Sequence, residues 1–307
     1  MAELFVYGIV LGSIISLGAI GLSLVYGILR FANFSHGDLM TLGAYVALFF
    51  VTGPLAWLGI SDKQLLPFSF SLRIIIAFPL SMAVVALVSI IIDRLIYKKL
   101  RDKNSSLVIM AMSALGVSFI VRMAVLIIWG ADFRFYRPGV LRPALMLPLG
   151  VKMRPDQILI LGIVGCLVFI LHVFLKKTKM GIAMRATSDN MNLAQITGIN
   201  IERVIAWTWG IGGALAAAAG ILYGIDVQLH PGMGWNFLLP LFAATILGSI
   251  GNVYGALLGG LIIGVAQQMS TAFLLPTYKP AVAFLIMIIL LLVRPQGIFG
   301  GKAKTWK

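Results

Sequence analysis

Few residues in this chain could do chemistry, and they fall in three clusters and one lone arginine. Asn33, Ser35, His36 and Asp38 form a tight polar run between two apolar stretches. A carboxylate there lies at a membrane edge or inside the membrane, where it costs roughly 2.5–3.5 kcal/mol on insertion scales. Two readings stay open. The run is a broken helix whose turn lines a substrate path, or a helix-capping loop with Asn33 or Ser35 as cap and Asp38 on the first turn. Asp226, Gln228 and His230 close a later apolar stretch, as the mouth of a pathway or as a solvated helix end. Arg122 stands inside an apolar run, within about two turns of Trp129, and is expected to snorkel to the nearer edge rather than pair with a carboxylate.

The third cluster is the longest polar interval, Lys176 to Asn200. Three lysines open it, as at a cytoplasmic membrane edge. A short helix is predicted within it. Ser188 is the expected N-cap, Asp189 sits on the positive end of the dipole, and Gly198 is the left-handed stop. Met191, Leu193, Ala194 and Ile196 give that helix a broad apolar side. It should dock on something, either its own protein or a partner.

Enzyme chemistry is missing. There is no paired-carboxylate site, no Gly-x-Ser-x-Gly, no His-Glu-x-x-His and no phosphate loop. Gly301-Lys302 comes nearest, but Ala303 follows it. The single cysteine, Cys166, lies in an apolar run, and three scattered histidines give no zinc spacing. The expectation is a non-catalytic chain with no cofactor and no metal of its own.

What must position these residues is a membrane. The 307 residues are 60% hydrophobic and 11% charged, with a mean hydropathy of +1.02. A soluble domain is typically about a quarter charged. The net charge of +14 does not point to nucleic acid, because the cations sit in loops between apolar runs. Those runs are 5–29, 39–60, 72–97 (with Pro79 as a kink), 107–129, 157–175, 204–229, 237–275 and 280–293. The run 237–275 is too long for one span and breaks naturally at Gly248-Ser-Ile-Gly251-Asn252, into two spans or a re-entrant pair. The expected fold is an all-α polytopic bundle of about nine spans, with broken or re-entrant helices, in one transmembrane domain, 1–307. It carries an outer loop at 130–156 and a polar inner loop at 176–203. With the 98–103 loop inside, fifteen of the 24 Lys and Arg fall inside. That predicts an outside N-terminus and a cytoplasmic C-terminus. Arg134, Arg137, Arg142, Lys152 and Arg154 then lie outside, where they are expected to meet acidic patches on a partner. An inverted repeat is a known transporter device, but none is visible by eye.

Four stretches together resemble the LivH-type branched-chain amino acid permeases of bacterial ABC importers. They are Tyr26-Gly27 with Asn33-Phe-Ser-His-Gly-Asp38 and Gly43-Ala-Tyr45; the interval holding Arg185-Ala186, Asp189-Asn190, Ala194 and Gly198-Ile-Asn200; the glycines 248, 251, 255, 259, 260 and 264; and Arg294-Pro-Gln-Gly297. The resemblance implies that Arg185, Ala186, Asp189, Asn190, Ala194, Gly198 and Asn200 couple to an ATPase. It implies a second, LivM-type permease, two cytoplasmic ATPases that carry the ATP and Mg, and an extracytoplasmic binding protein. It implies a bacterial inner membrane and a branched-chain amino acid as cargo. Asn33, His36, Asp38, Asp226 and Gln267 are the candidate pathway residues. Gly248, Gly251, Gly255, Gly259 and Gly264 are read as helix packing, with room for a pore between subunits as the other reading. The chain departs from the family pattern at Ser249, where a second glycine is common, and at Gln267, where an acid is frequent. Urea, amides or other amino acids are alternative cargoes. A secondary transporter or channel is the alternative class, disfavoured because Asp38, Asp93 and Asp226 fall near span ends.

Overall fold

The structure, a computed structural model, describes residues 1–65, 68–136, 145–146 and 152–300. Among these residues thirteen α-helices follow one another. They are α1 (Ala2–Leu29), α2 (His36–Thr52), α3 (Pro54–Trp57), α4 (Leu72–Ile92), α5 (Lys98–Asp102), α6 (Leu107–Trp129), α7 (Pro155–Lys177), α8 (Lys179–Asp189), α9 (Met191–Ile196), α10 (Ile201–Asp226), α11 (Met233–Leu247), α12 (Val253–Ser270) and α13 (Lys279–Val293). A π-helical turn, Asp93–Tyr97, joins α4 to α5, and a 3-10 turn, Pro276–Tyr278, leads into α13. A small antiparallel ribbon pairs β1 (Leu145–Met146) with β2 (Lys152–Met153).

Among the described residues, eight helical stretches are long and apolar enough to cross a membrane. The fifteen-residue α11 is a ninth and shorter one, at ~22 Å against a hydrocarbon core of ~30 Å. Contacts at the helix ends sort the chain into two faces. At the end that carries the α8–α9 arm, the arm end, Ser188 Oγ donates to Gly27 O (3.2 Å), Gly251 N to Ser23 Oγ (3.1 Å) and Ile298 N to Leu247 O (2.8 Å). At the loop end, Tyr7 OH donates to Lys152 O (2.9 Å), and Gln267 Nε2 to Lys279 O (2.8 Å). Consecutive long helices alternate between the two ends. The chain therefore begins at the loop end, and its described part finishes at the arm end. The break at 248–252 separates α11 from α12.

Small residues let these helices close on each other. A methyl on Gly12 would lie 2.9 Å from Leu261 Cα, one on Gly8 2.8 Å from Val265 Cα, and one on Gly21 2.8 Å from Gly212 O. The result is a buried centre of α1, α2, α10 and α11, while α13 has most of its surface outside.

Two halves of the chain share one plan. α1, residues 30–35 and α2 match α10, residues 227–232 and α11. α4 packs on α10 and α2 as α12 packs on α1 and α11, and α6 rests on α2 as α13 rests on α11. Gly37 and Gly234 occupy equivalent positions and touch each other: a methyl on either meets the carbonyl oxygen of the other. α7 has no counterpart. Because it adds one crossing between the halves, the second half is inverted relative to the first.

Candidate functional site

The polar run at 33–38 lies deep in the bundle. α1 ends at Leu29, and residues 30–35 then run back into the protein. His36 Nε2 is 2.9 Å from Gly18 O, which lies ~16 Å along α1 from its end. α2 thus begins near mid-depth. Non-helical backbone survives there only because protein surrounds it. Phe31 packs on Tyr97 (5.2 Å) and Trp209 (6.4 Å), and Tyr97 stacks on Trp209 at 4.9 Å. Asn33 is fully buried; its Oδ1 accepts from Ser35 N (3.2 Å) and Ser35 Oγ (2.6 Å). Ser35 precedes α2 but makes no side-chain capping bond.

Asp38 follows on the first turn of α2, 1% exposed. Arg122 of α6 grips it, Nε to Oδ1 at 3.0 Å and Nη2 to Oδ2 at 2.9 Å, and Ser118 Oγ also donates to Oδ2. The guanidinium lies 4.4 Å from the Trp235 ring and 5.5 Å from Phe119. The snorkelling expected for Arg122 is therefore corrected. The dive of residues 30–35 brings a carboxylate to its depth, and a paired ion is cheaper than a stretched one in low dielectric. Ser118 and Arg122 share a face of α6 at the i,i+4 spacing. Three elements, α2, α6 and the start of α11, are clamped at one point.

Asp226 and Gln267 lie elsewhere, on a cavity of about 810 Å³ at the loop end. Arg154 Nη2 donates to Asp226 Oδ1 at 2.5 Å, and Gln157 Nε2 to the same atom at 3.2 Å. Arg154 is therefore not one of the outward cations. It is spent within the chain, because Pro155 opens α7 beside the end of α10. Arg134 gives its Nη2 to Trp129 O (2.8 Å), while Arg137 and Arg142 lie outside the described residues.

The polar interval 176–203 folds as an arm of two helices, α8 and α9. Thr178 Oγ1 accepts from Gly181 N (3.0 Å) and starts α8. Asn190 Oδ1 accepts from Leu193 N (3.0 Å) and starts α9. Asn200 Oδ1 accepts from Arg203 N (3.0 Å) and starts α10. The expected cap at Ser188 is corrected to Asn190. Residues 185–189 continue α8, so Asp189 closes that helix instead of opening the next, and Ser188 bonds Gly27 O. Gly198 has φ +87°, the left-handed stop after α9. Leu193 is 58% exposed and Ile196 83%, while Ala194 is 3% exposed against its own chain. Ala194 is thus the inward side of α9, not its outer contact. Arg185 and Asp189 are exposed and line a cavity of about 500 Å³ between α1, α7, α8 and the 248–252 turn; Ala186 is half-buried.

This arrangement of a buried clamp, a charged mouth and a capped arm accompanies a clear likeness in sequence. Residues 4–291 match the family described as branched-chain amino acid transport system / permease component. The chain belongs to that family. It is 35% identical to the high-affinity branched-chain amino acid transport system permease protein BraD of Pseudomonas aeruginosa, over 96% of this chain and 94% of the relative. It is 33% identical to LivH of Escherichia coli K12, over 98% of each. A probable LivH of Methanocaldococcus jannaschii is 30% identical over 97% of this chain and 92% of the relative.

In this permease the glycine ladder brings backbones together. A methyl on Gly248 or Gly255 meets the other's backbone, one on Gly259 meets Ala244 O, and one on Gly264 meets Gly12. Gly251 has φ +83°. Ser249 has φ +75°. That conformation costs an L-residue roughly 1–2 kcal/mol, and Ser249 Oγ offsets it by donating to Gln296 O at 2.7 Å. The Arg294–Gly297 ending is thereby pinned to the turn between α11 and α12.

Proposed function

We propose that this chain is the membrane-spanning permease subunit of an ATP-driven importer for branched-chain amino acids in a bacterial inner membrane. It works beside a second, LivM-type permease, two cytoplasmic ATPases that hold ATP and Mg, and an extracytoplasmic binding protein. The observation that carries the reading is the α8–α9 arm. A chain without a phosphate loop needs a mechanical joint to an ATP site. The arm is short, capped at its start by Thr178 and Asn190, and presents Leu193 and Ile196 outward. It is also tied inward: a methyl on Gly181 would lie 2.5 Å from Leu175 Cα of α7, and Ser188 bonds Gly27 of α1. A push on α9 is passed to α1, to α7 and, through Gly251 beside Gly27, to the 248–252 turn. Those elements pack around the inverted halves, whose rocking gives alternating access.

The arm end is taken as cytoplasmic, on the strength of its share of the cations. Gln195→Cys on a Cys166→Ser background should resist a membrane-impermeant thiol reagent in intact cells; labelling from outside would reverse the orientation. The function is tested by reconstituting the permease pair with its ATPases and binding protein in liposomes. L-leucine, L-isoleucine or L-valine should stimulate ATP hydrolysis and enter the vesicles. Stimulation by urea or short amides alone would reassign the cargo.

A further inference from the structure

The loop-end cavity holds more charge than packing requires. Among the described residues, Lys152 and Lys279 line it beside the Arg154–Asp226 ion pair. Cation and carboxylate on one water-accessible wall are the complement of a zwitterion. Lys279 is held in place twice. Its backbone carbonyl accepts from Gln267, which is 3% exposed, and its Nζ donates to Gln268 Oε1 at 2.7 Å. An ammonium carries three donors, and Gln268 takes one. Asp226 is set by Arg154 and Gln157 from the start of α7. Leu11, Phe237 and Pro240 supply apolar lining in the same space. Charged and polar groups that orient a ligand therefore share one concavity with an apolar patch that can bury part of it.

We propose that this cavity binds the free α-amino acid as it enters the permease, with the carboxylate on Lys279, the ammonium toward Asp226 and the aliphatic side chain against Phe237 and Pro240. The inference deepens the proposed function and rests on it. It names a recognition step inside this chain, separate from any on the binding protein. Residue 267 then has a specific part: its amide fixes Lys279 by the backbone without neutralising the ammonium, as an acid there would.

The experiment uses the complete importer in membranes, with Thr277→Cys on a Cys166→Ser background; Thr277 is exposed on the rim. The probes are L-leucine, 4-methylpentanoate, which lacks the amine, and 3-methylbutylamine, which lacks the carboxylate. L-leucine should slow thiol labelling, and the other two should not at equal concentration. Lys279→Met should weaken the protection about tenfold, the factor for one charged hydrogen bond, and Lys279→Arg should restore part of it. The same preparation is assayed for leucine uptake. Uptake without protection by leucine, or equal protection by 4-methylpentanoate, overturns the site and leaves the function standing. Absence of any branched-chain amino acid uptake overturns both.

Discussion

A methyl added at Gly37 or Gly234 has nowhere to go, since each would strike the other's carbonyl oxygen; at Gly198 it would meet nothing within 4 Å. Asp38 is buried under Arg122, Ser118 and the Trp235 ring, whereas Asp189 and Arg185 stand exposed. The mid-depth junction hides its charged groups and pairs them. The arm shows its polar groups and also shows Leu193 and Ile196. The two regions use the same residue types for opposite ends. The first holds the chain's own halves in register, and the second leaves apolar surface uncovered for another protein. If that contrast is right, damage to the junction should appear in stability, and damage to the arm in association.

The largest effect is expected at Arg122. Arg122→Ala leaves Asp38 as an unpaired buried charge, which should destabilise by about 3–5 kcal/mol. The thermal midpoint of the detergent-purified permease should fall steeply. The double change Arg122→Met with Asp38→Leu should recover most of the loss. A midpoint unmoved by Arg122→Ala would show that the pair is not a clamp. Next comes Gly234→Ala, which overpacks the contact with Gly37 and should cost about 1–3 kcal/mol; the same change at Gly162, where space is open, should not lower the midpoint.

Gly198→Val strains a left-handed turn by roughly 1–2 kcal/mol and meets no neighbour. The pair Leu193→Arg and Ile196→Arg should alter stability by less than about 0.5 kcal/mol. That pair should abolish co-purification of the ATPase subunits, and Gly198→Val should reduce it. Retention of the ATPases by both variants would remove the arm from the coupling role. Ala194→Arg belongs on the other side of the comparison, because its side chain faces its own protein and should cost stability first.

The smallest effect is at His230, in the loop between α10 and α11. Burial lowers its pKa below the usual value of 6.5. The folded state therefore holds the ring neutral while the unfolded chain takes up a proton near pH ~6.5. This stabilising contribution is present above that pH and is lost as pH falls below it. The midpoint should decline slightly more on acidification for the parent than for His230→Gln.

Much of the architecture was legible because hydropathy reports length. The spans, the break at 248–252 and the polar interval all follow from runs of apolar residues. Depth was not legible. Nothing in residues 30–35 says that they run back along α1, so Asp38 looked like an edge residue and Arg122 like a lone cation. The available signal was that two opposite charges in adjoining apolar surroundings tend to find each other. The caps were misread by a few positions for a local reason. Thr178 starts α8 early enough that the helix runs through Ser188, and Asn190 is left to start α9. The pairing of Arg154 with Asp226 needed the meeting of α7 and α10, which no local pattern reports. The equivalence of the halves was hidden because it lies in packing, with only Gly37 and Gly234 as a shared mark.

The π-helical turn at Asp93–Tyr97 acts on the angular phase of everything that follows it. In an unbroken α-helix, Asp93 and Arg101 would stand about 80° apart around the axis, at ~100° per residue. One extra residue in the turn takes up most of that angle. The two side chains then face each other, with Arg101 Nη1 2.6 Å from Asp93 Oδ1. Arg94 lies on the turn, and Lys98, Lys99 and Arg101 ride on the rotated segment beyond it. Where this membrane edge presents its positive charge is therefore set by a single residue of helical slack; wound as a regular α-helix at its full length, the same stretch would carry that charge about 80° away around the helix axis.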